Sequence, residues 1–592
     1  MRLALTRRPG RRLPILAAAA VAAALAPLAA GAPASAARSA ASASAPIPAP
    51  AHHGTLRIAG QSRDGGVVTA SGLAWHAPRL PPGVKLISFA VAYTWQSCAP
   101  SGGHCTTAAD SAATPFAARQ YRAGHADTGR RLRVTETAAE VVQTKARNFT
   151  FKVLRRSVSR LAGVPVRAYQ RHQRPASYFR NGTPERHTAS AEEYFGVSAP
   201  HYNTGDGKPS QQFRVDRGSW RPMPASHVFY TGKLAAGPHQ VSVRTANRAG
   251  STEIRFGWRV VPLPAPLACQ PRAGQPCWYP PHLASKHGAA NPQPMRWDWQ
   301  IGRTTPLKRT GKHAVDIYDI DGFLSTRAEV NAIQTRWPAS TLAHPKTVCY
   351  LDLAWEDYRP DASPTSRGGY FPAATLGNVY FGYPEERWVD FRQLDALKPM
   401  LRERIAMCAR KGFSAVELDD IDSFDPPSTT GFRLTPGDAQ NYLAYAFNLI
   451  HQDGMTGLWK NSPYLSWWGR KYADGAVLEE CYTYHMCSAA QLRGSSQYGI
   501  TCTALSGATP CGWDDFTTDK TTAQPTGKWV GDAEYGADHY VCNPGQTGPK
   551  CGGKHAFAAF CRAVYDPPLG FAAVKFDVDL DGKVFYPCPS GS

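Results

Sequence analysis

Acidic residues recur at the ends of short apolar runs in the second half of the chain. These residues are Asp319 and Asp321, Asp352 and Glu356, Asp419, Asp420 and Asp422, Glu479 and Glu480, Asp532 and Glu534, and Asp577. A carboxylate is costly to bury without a partner, so their concentration at run ends indicates a functional site. Cleaving a glycosidic bond needs two carboxyl groups: one protonates the leaving oxygen, and the other attacks the anomeric carbon or activates water.

Aromatic and basic side chains accompany these acids. The candidate substrate contacts are Trp297, Trp299, Trp355, Tyr482 and Tyr535, the acids Asp321, Asp422 and Glu534, and the bases Lys460 and Lys575. Aromatic faces pack against the C–H surface of a sugar ring, although buried aromatics are also common in cores and Asp is a favoured helix N-cap. Histidines are sparse near these run ends and lysines lie among the acids, so we expect no metal ion and no other cofactor.

The apolar runs that carry these residues alternate with helical stretches. Strands are predicted near residues 296–300, 314–323, 347–355, 415–422, 456–461, 476–481, 528–535 and 572–577, and the clearest helices at 394–411 and 436–453. Eight strand–helix units in roughly 300 residues predict a (β/α)₈ TIM barrel. Because such a barrel places its chemistry at the C-terminal ends of its strands, the acids are expected to share one rim.

Several separate pieces of this region carry a family resemblance. They are Trp297-Asp298-Trp299-Gln300, Val416-Glu417-Leu418-Asp419-Asp420-Ile421-Asp422, Glu479-Glu480-Cys481-Tyr482, and the segments 318–323, 349–351, 355–361, 386–392, 408–413, 460–461 and 534–535. In this order, over residues 295–580, the chain resembles glycoside hydrolase family 114, the endo-α-1,4-polygalactosaminidases. It departs from the family's pattern at Asp420, where Asn is usual, and in a Cys-containing insertion at 494–519.

The resemblance implies that Asp419, on the fourth strand, and Glu479, on the sixth, are the catalytic acids. Our hypothesis makes Asp419 the nucleophile and Glu479 the acid/base, with the reverse assignment open. A separation of about 5–5.5 Å would favour retention of anomeric configuration, and a wider one inversion. The implied reaction is internal cleavage of an α-1,4-linked galactosamine or N-acetylgalactosamine polymer of the galactosaminogalactan type. The alternatives are another polysaccharide substrate, or carbohydrate binding at the cell wall without catalysis.

The first half of the chain predicts export followed by two all-β units. Basic residues precede an Ala/Leu-rich run and Ala34-Ser35-Ala36, which predicts a signal peptide over residues 1–36 and no transmembrane anchor after its cleavage. A low-complexity linker is predicted at 37–53. Alternating runs separated by turn residues then predict two β-sandwiches, 54–154 and 155–266, that resemble Ig-like modules of bacterial surface proteins. Residues 267–294 are expected to form a linker with a Cys pair, and 295–592 the barrel.

The 14 cysteines agree with an extracellular location. Five close pairs, 98/105, 269/277, 481/487, 502/511 and 542/551, are expected to close small loops as disulfides in an oxidising compartment. No CxxC pair occurs, so zinc binding is disfavoured.

Charge is distributed unevenly along the chain. Residues 1–267 contain 35 Lys and Arg against 11 Asp and Glu, whereas residues 268–592 contain 31 against 34. The slightly acidic back half suits a polycationic galactosamine polymer, while the basic front half favours an anionic cell wall as a partner. Nucleic-acid binding is not expected, because the basic excess lies in the export segment and the Ig-like units and no motif supports it.

Overall fold

The computed structural model describes most of the chain from residue 47 onward. The described residues are 47–76, 78–81, 84–107, 120–144, 150–180, 183–272, 274–284, 293–362, 371–372, 375–380, 383–424, 430–492, 512–519, 524–535, 553–565 and 569–588. The predicted signal peptide and most of the predicted linker at 37–53 lie outside them. Among these residues, no helix is both long enough and apolar enough to span a bilayer.

The first β unit consists of two facing sheets. Its strands are β1 (Ala51–Gly60), β2 (Val67–His76), β3 (Val84–Cys98), β4 (Thr106–Thr107), β5 (Gln120–Arg122), β6 (Arg131–Thr144) and β7 (Thr150–Leu161). The sheets have the orders β1-β2-β5 and β4-β3-β6-β7, and a core that includes Trp95 and Val134 lies between them. Because β7 pairs with β6 along its whole length, this unit extends to Leu161, past the boundary predicted at 154.

The second β unit is built on a five-stranded sheet. Its strands are β8 (His187–Thr188), β9 (Tyr194–Gly196), β10 (Ser210–Val215), β11 (Arg221–Pro222), β12 (Val228–Tyr230), β13 (Gly237–Asn247) and β14 (Gly250–Val260). The sheet has the order β11-β10-β13-β14-β8, and β12 pairs with β9. Stacked rings of Phe195, Phe213 and Phe229 form the centre of its core. The Ig-like character of both units stays a prediction.

The C-terminal domain has a TIM-barrel-like fold. Its strands are β15 (Leu283–Ala284), β16 (Gln293–Pro294), β17 (Trp297–Gln300), β18 (Ile317–Asp321), β19 (Lys346–Asp352), β20 (Trp355–Glu356), β21 (Leu376–Tyr380), β22 (Tyr383–Val389), β23 (Ala415–Asp419), β24 (Thr456–Lys460), β25 (Gly475–Glu479), β26 (Thr518–Asp519), β27 (Gln524–Pro525), β28 (Trp529–Tyr535), β29 (Ala572–Phe576) and β30 (Tyr586–Pro587). Eight of them, β17, β18, β19, β23, β24, β25, β28 and β29, are parallel neighbours in chain order. The Trp297 indole N–H donates to the Ala572 carbonyl at 2.6 Å, which joins the first of these strands to the last.

In the described residues, the helices around this sheet are fewer than a regular eightfold repeat would have. They are α1 (Arg327–Arg336), α2 (Leu394–Lys411), α3 (Pro436–Gln452), α4 (Ser466–Gly469), α5 (Ala489–Leu492) and α6 (Gly553–Phe560). Both α1 and α3 begin with a capping box, which satisfies the free amide groups of the first turn. Between β17 and β18, where every residue is described, only the short 3₁₀ turn Gly311–His313 occurs. A regular (β/α)₈ alternation is therefore not seen in the described residues.

Disulfides staple loops and also join distant elements. The predicted pairs Cys98–Cys105, Cys269–Cys277 and Cys481–Cys487 are confirmed. Two further bridges, Cys349–Cys408 and Cys561–Cys588, span 59 and 27 residues and were not predicted. The predicted pairs 502/511 and 542/551 lie outside the described residues.

The second β unit contacts the barrel at the N-terminal end of α3. The Ala189 amide donates to Asn441 Oδ1 at 3.3 Å, and the Ser190 and Thr435 hydroxyl oxygens are 3.2 Å apart. Because α3 follows β23, which ends at Asp419, this contact lies on the barrel face that holds the strand ends.

Candidate active site

Lys460 joins the two predicted catalytic acids. Its buried ammonium nitrogen Nζ lies 2.7 Å from Asp419 Oδ2 and 3.1 Å from Glu479 Oε2. The two oxygens are therefore at most about 6 Å apart, a range in which two carboxyl groups can flank a single bond. Asp419 and Glu479 end strands β23 and β25, the neighbours of β24, which ends at Lys460, so the sheet order brings the three side chains together.

Three hydrogen-bond donors meet the carboxylate of Asp419. The Tyr350 hydroxyl donates to Oδ2 at 2.8 Å, the Asp420 amide donates to Oδ1 at 2.8 Å, and Lys460 is the third donor. The side chain of Asp419 is 16% exposed, so it is sheltered without being sealed off. Three donors hold the carboxylate of Asp419 in one orientation, as a nucleophile requires.

Glu479 differs from Asp419 in its partners and in its access. The Tyr535 hydroxyl donates to Oε1, and Asn461 Nδ2 donates to Oε2 at 3.0 Å. Asn461 Oδ1 also accepts the Glu479 amide at 2.9 Å, so one amide side chain orients both the backbone and the carboxyl group of Glu479. With 28% of its side chain exposed, Glu479 is the more accessible acid, as a group that exchanges protons with a substrate must be.

The residue after each of these three strand ends has a left-handed backbone. Asp420, Asn461 and Glu480 have φ angles of 52°, 43° and 53°. A non-glycine residue in this region costs on the order of 1 kcal/mol or more, and such strain concentrates where it orients functional groups. Here the strain occurs directly after all three residues of the candidate site, Asp419, Lys460 and Glu479.

A second layer of charge lies beneath Lys460. Glu417, two residues before Asp419 on the same strand, has an oxygen 3.5 Å from Lys460 Nζ, and it lies close enough to Asp319 that the Asp319 charge adds to the effect of burial on its pKa. Both acids are fully buried, and burial raises the pKa of Asp319 to about 7 and the pKa of Glu417 well above its usual range. The pair therefore retains a proton near neutral pH. Burial lowers the pKa of Lys460, but the surrounding carboxylates outweigh it and raise that pKa, so the ammonium stays charged.

The raised pKa values of Asp319 and Glu480 predict that the barrel becomes less stable as the pH rises. Burial raises the pKa of both Asp319 and Glu480 to about 7, from ordinary values near 4. Between about pH 4 and pH 7 the folded chain holds protons that the unfolded chain has released, so unfolding becomes more favourable with rising pH. We expect the barrel's Tm to fall from pH 4.5 to pH 7.5 in thermal melts. The decline should be shallower in Asp319→Asn but unchanged in the exposed control Asp216→Asn; a Tm that rises over this range would contradict the prediction.

A further group of acids lies near the end of β19. One oxygen from each of Asp352, Glu356 and Glu386 lies within 4.8 Å of the others, a spacing that could hold a divalent cation. Arg359 already neutralises Glu356 through a 2.7 Å ion pair. Burial, followed by the charge of Asp352, raises the pKa of Glu386 to about 10. A second grouping, Cys481 with Asp532 and Glu534, offers no thiolate because Cys481 is disulfide-bonded.

The structure brings only some of the predicted substrate contacts to the catalytic pair. Lys460 and Tyr535 bond to the two acids directly, and Asp422 lies near them, with a pKa raised to about 6 by burial and then by the Asp419 charge. Trp299 also lies at the site, because Lys460 Nζ is 4.7 Å from the centre of its ring. The surroundings of the others are as follows: Trp297, Trp355 and Lys575 are buried, Asp321 is paired with Arg359, Glu534 accepts hydrogen bonds from the backbone of Tyr482 and from Thr483, and the Tyr482 ring packs against Phe560.

Several site residues were missed as candidates in the sequence. Tyr350 and Asn461 form hydrogen bonds with the acids directly. Tyr380 and Tyr383 lie on strands β21 and β22. Burial raises the pKa of both tyrosines, and the nearby charges of Asp419 and Glu479 add to this effect. Tyr350 had a usable signal, because it precedes Asp352 by two residues and so faces the same side of its strand. Asn461 had one as well, since it follows Lys460 at a predicted strand end.

Comparison with family models gives one match in the second half of the chain. The model of glycoside-hydrolase family GH114 matches residues 280–590, more than half of the chain. The chain belongs to family GH114. This GH114 protein is accordingly a glycoside hydrolase, as the resemblance implied.

Solved structures similar to this GH114 chain include two kinds of protein. The crystal structure of Ega3 from Aspergillus fumigatus, in complex with galactosamine, is 19% identical, with a TM-score of 0.36, and the match covers 52% of this chain and 99% of Ega3. A putative α-galactosidase from Bacteroides fragilis is 9% identical, with a TM-score of 0.19, and the match covers 61% of this chain and 66% of that one. Comparison with curated proteins gave no match.

Proposed function

We propose that this GH114 protein is a secreted, endo-acting hydrolase of α-1,4-linked galactosamine polymers, including partly N-acetylated ones. The observation that carries the proposal is the position of Lys460 between Asp419 and Glu479, which supports a catalytic carboxyl pair. The separation between Asp419 Oδ2 and Glu479 Oε2 is at most about 6 Å. This distance falls below the 6.5–9.5 Å typical of inverting enzymes and supports retention of configuration.

In the proposed mechanism Asp419 acts as the nucleophile. A carboxylate oxygen of Asp419 attacks the anomeric carbon while Glu479 donates its proton to the leaving glycosidic oxygen, which forms a covalent glycosyl-enzyme. Glu479, now ionised, removes a proton from water, and the resulting hydroxide oxygen displaces Asp419 from the anomeric carbon. The second step regenerates the carboxylate of Asp419 and the protonated Glu479. The three donors at Asp419 and the greater exposure of Glu479 support this division of roles.

The proposed substrate follows from the excess of acids over bases around the pair. Asp352, Glu386 and Asp420 surround the site on the β19 side, and among the described residues Oδ2 of Asp420 is buried without a hydrogen-bond partner. Burial and mutual repulsion raise the pKa of Glu386 and of Asp420, and the ammonium group of an amino sugar would favour ionisation of these acids when it binds beside them. Asp420, an acid where the family usually has Asn, adds to this preference.

Product analysis tests the proposal directly. The purified protein is incubated with α-1,4-galactosamine polymer, with its fully N-acetylated form and with a neutral α-1,4-glucan, and products are followed by mass spectrometry. We expect oligomers of mixed length to appear early from the galactosamine polymer, since internal cleavage precedes trimming. Early release of monosaccharide only would contradict the endo mode, and faster cleavage of the glucan would indicate another substrate for the same fold.

Loss of the Tyr535 hydroxyl tests the proposed role of Glu479. Tyr535→Phe removes a hydrogen bond that orients the Glu479 carboxyl group, so we expect kcat/KM on the galactosamine polymer to fall by about 10- to 100-fold. Tyr279→Phe, at a half-exposed position in the segment before the barrel, is the matched control and should retain full activity. Equal activity of the two variants would show that Tyr535 does not assist Glu479.

A further inference from the structure

A groove opens at one edge of the first β unit. It has a volume of about 350 Å³ and lies between strands β1 and β7. Its lining residues are Thr55, Leu56, Arg57, Ile58, Arg160, Leu161, Ala162 and Gly163. Each of the two strands is the end strand of its sheet in the described part of the unit, so each presents backbone N–H and C=O groups that no neighbouring strand uses.

Three arginines border this groove. Arg57 and Arg160 line it, and Arg156 shares a face of β7 with Arg160 because side chains alternate along a strand. That face is the inward one, since Arg160 and Arg156 pair in register with the buried Val134 and Ala138 of β6. At the open edge of the sandwich all three arginines are exposed, and no described carboxylate forms an ion pair with them.

The described acids of this unit are bonded to other groups of the protein. Asp64 bonds to His125 and His201, Asp127 accepts from the Tyr121 hydroxyl, and Glu136 accepts from the Trp75 indole.

These three acids are 2–3% exposed. Residues 54–161 contain 15 Lys and Arg against 5 Asp and Glu, and the two other acids have side chains outside the described set. The described surface of the unit therefore carries charge of one sign, which attracts a polyanion over a distance as well as on contact.

We propose that this groove binds a linear, carboxylate-bearing polysaccharide. Arginine pairs with carboxylates through two parallel hydrogen bonds, and a groove lined by the exposed Arg57 and Arg160 offers more than one such pair to an extended chain with repeated charges. The lining contains no aromatic ring on which a nucleic-acid base could stack, which argues against single-stranded DNA or RNA as the occupant. The site is independent of the proposed catalytic function and uses the opposite sign of charge.

Binding of labelled polygalacturonate to the full-length secreted protein tests this proposal. At 50 mM NaCl we expect the double variant Arg57→Gln/Arg160→Gln to bind about tenfold more weakly than the wild type. We also expect the affinity of the wild type to fall steeply as the salt concentration is raised. The matched control, Arg217→Gln/Arg259→Gln, removes two exposed charges from the second β unit and should change affinity less than about twofold. Hydrolysis of the galactosamine polymer should be the same in all three proteins, which also reports on folding and separates this proposal from the catalytic one.

Two results would overturn the proposal. One is an equal loss of affinity in the groove variant and the control, because that would indicate diffuse charge attraction without a site. The other is tighter binding of a single-stranded oligonucleotide of equal charge, with the same dependence on Arg57 and Arg160, which would identify a nucleic-acid surface. Neutral dextran should not bind to any of the three proteins.

Discussion

Replacing Asp419 by Asn is expected to lower kcat/KM on galactosamine polymer by about a thousandfold or more. The substitution keeps the size of the side chain but removes the charge that attacks the anomeric carbon, and the loss of a nucleophile is among the largest effects of a single substitution on an enzyme. Initial rates of reducing-end formation measure the effect. Glu403→Gln, which removes an exposed carboxylate on α2, is the control and should leave the rate unchanged.

Comparing Asp419→Asn with Glu479→Gln separates the roles of the two acids. On a galactosaminide with a good leaving group, Glu479→Gln should still form the glycosyl-enzyme, because little protonation of such a group is needed. Asp419→Asn should not form it on any substrate, and intact-protein mass spectrometry distinguishes the two cases. Trapping of the intermediate on Glu479 instead would reverse the assignment, and activity above a tenth of wild type in both variants would refute the pair.

Lys460→Gln is expected to reduce both activity and stability. The ammonium of Lys460 holds Asp419 and Glu479 and faces Glu417, so its removal leaves several carboxylates around an uncompensated buried site. Breaking a buried ion pair from one side typically costs about 3–5 kcal/mol, and the misplaced acids should lower kcat/KM by about a hundredfold or more.

Thermal unfolding and steady-state kinetics together test this second prediction. Lys583→Gln breaks an ion pair on the surface, with Asp581, and should change neither quantity appreciably. Lys460→Arg keeps the charge but not the shape of the ammonium, so we expect it to recover stability more than activity. Wild-type kinetics in Lys460→Gln would show that the lysine does not position the acids.

The strand ends of the barrel could be predicted from the sequence because chemistry and periodicity coincide there. Asp419, Lys460 and Glu479 each end an apolar run, and neighbouring parallel strands end on one face. The pattern of apolar runs does not indicate how deep along the barrel axis each side chain lies. Trp297 has the residue type of a sugar platform, yet its strand carries it into the packed interior. Trp299 is 1% exposed and contacts Lys460 of the site with its ring.

Other features were unpredictable because they depend on contacts between distant segments. Tyr350 reaches Asp419 only because β19 and β23 are neighbours, although helix α2 and a hairpin separate them in the chain. The disulfide Cys349–Cys408 likewise spans 59 residues, whereas the three confirmed pairs that close short loops could be read from spacing alone.

The hydrogen bonds from Ala189 and Ser190 to the start of α3 bear on how a smaller active fragment should be designed. A fragment that begins at residue 280, where the family match begins, would leave Asn441 and Thr435 without these partners. The surface of α3 that the second β unit covers would then be exposed to solvent. A shortened enzyme intended for crystallography or for treating polysaccharide films should therefore start before residue 183. It would then keep the whole second β unit and its contacts with α3.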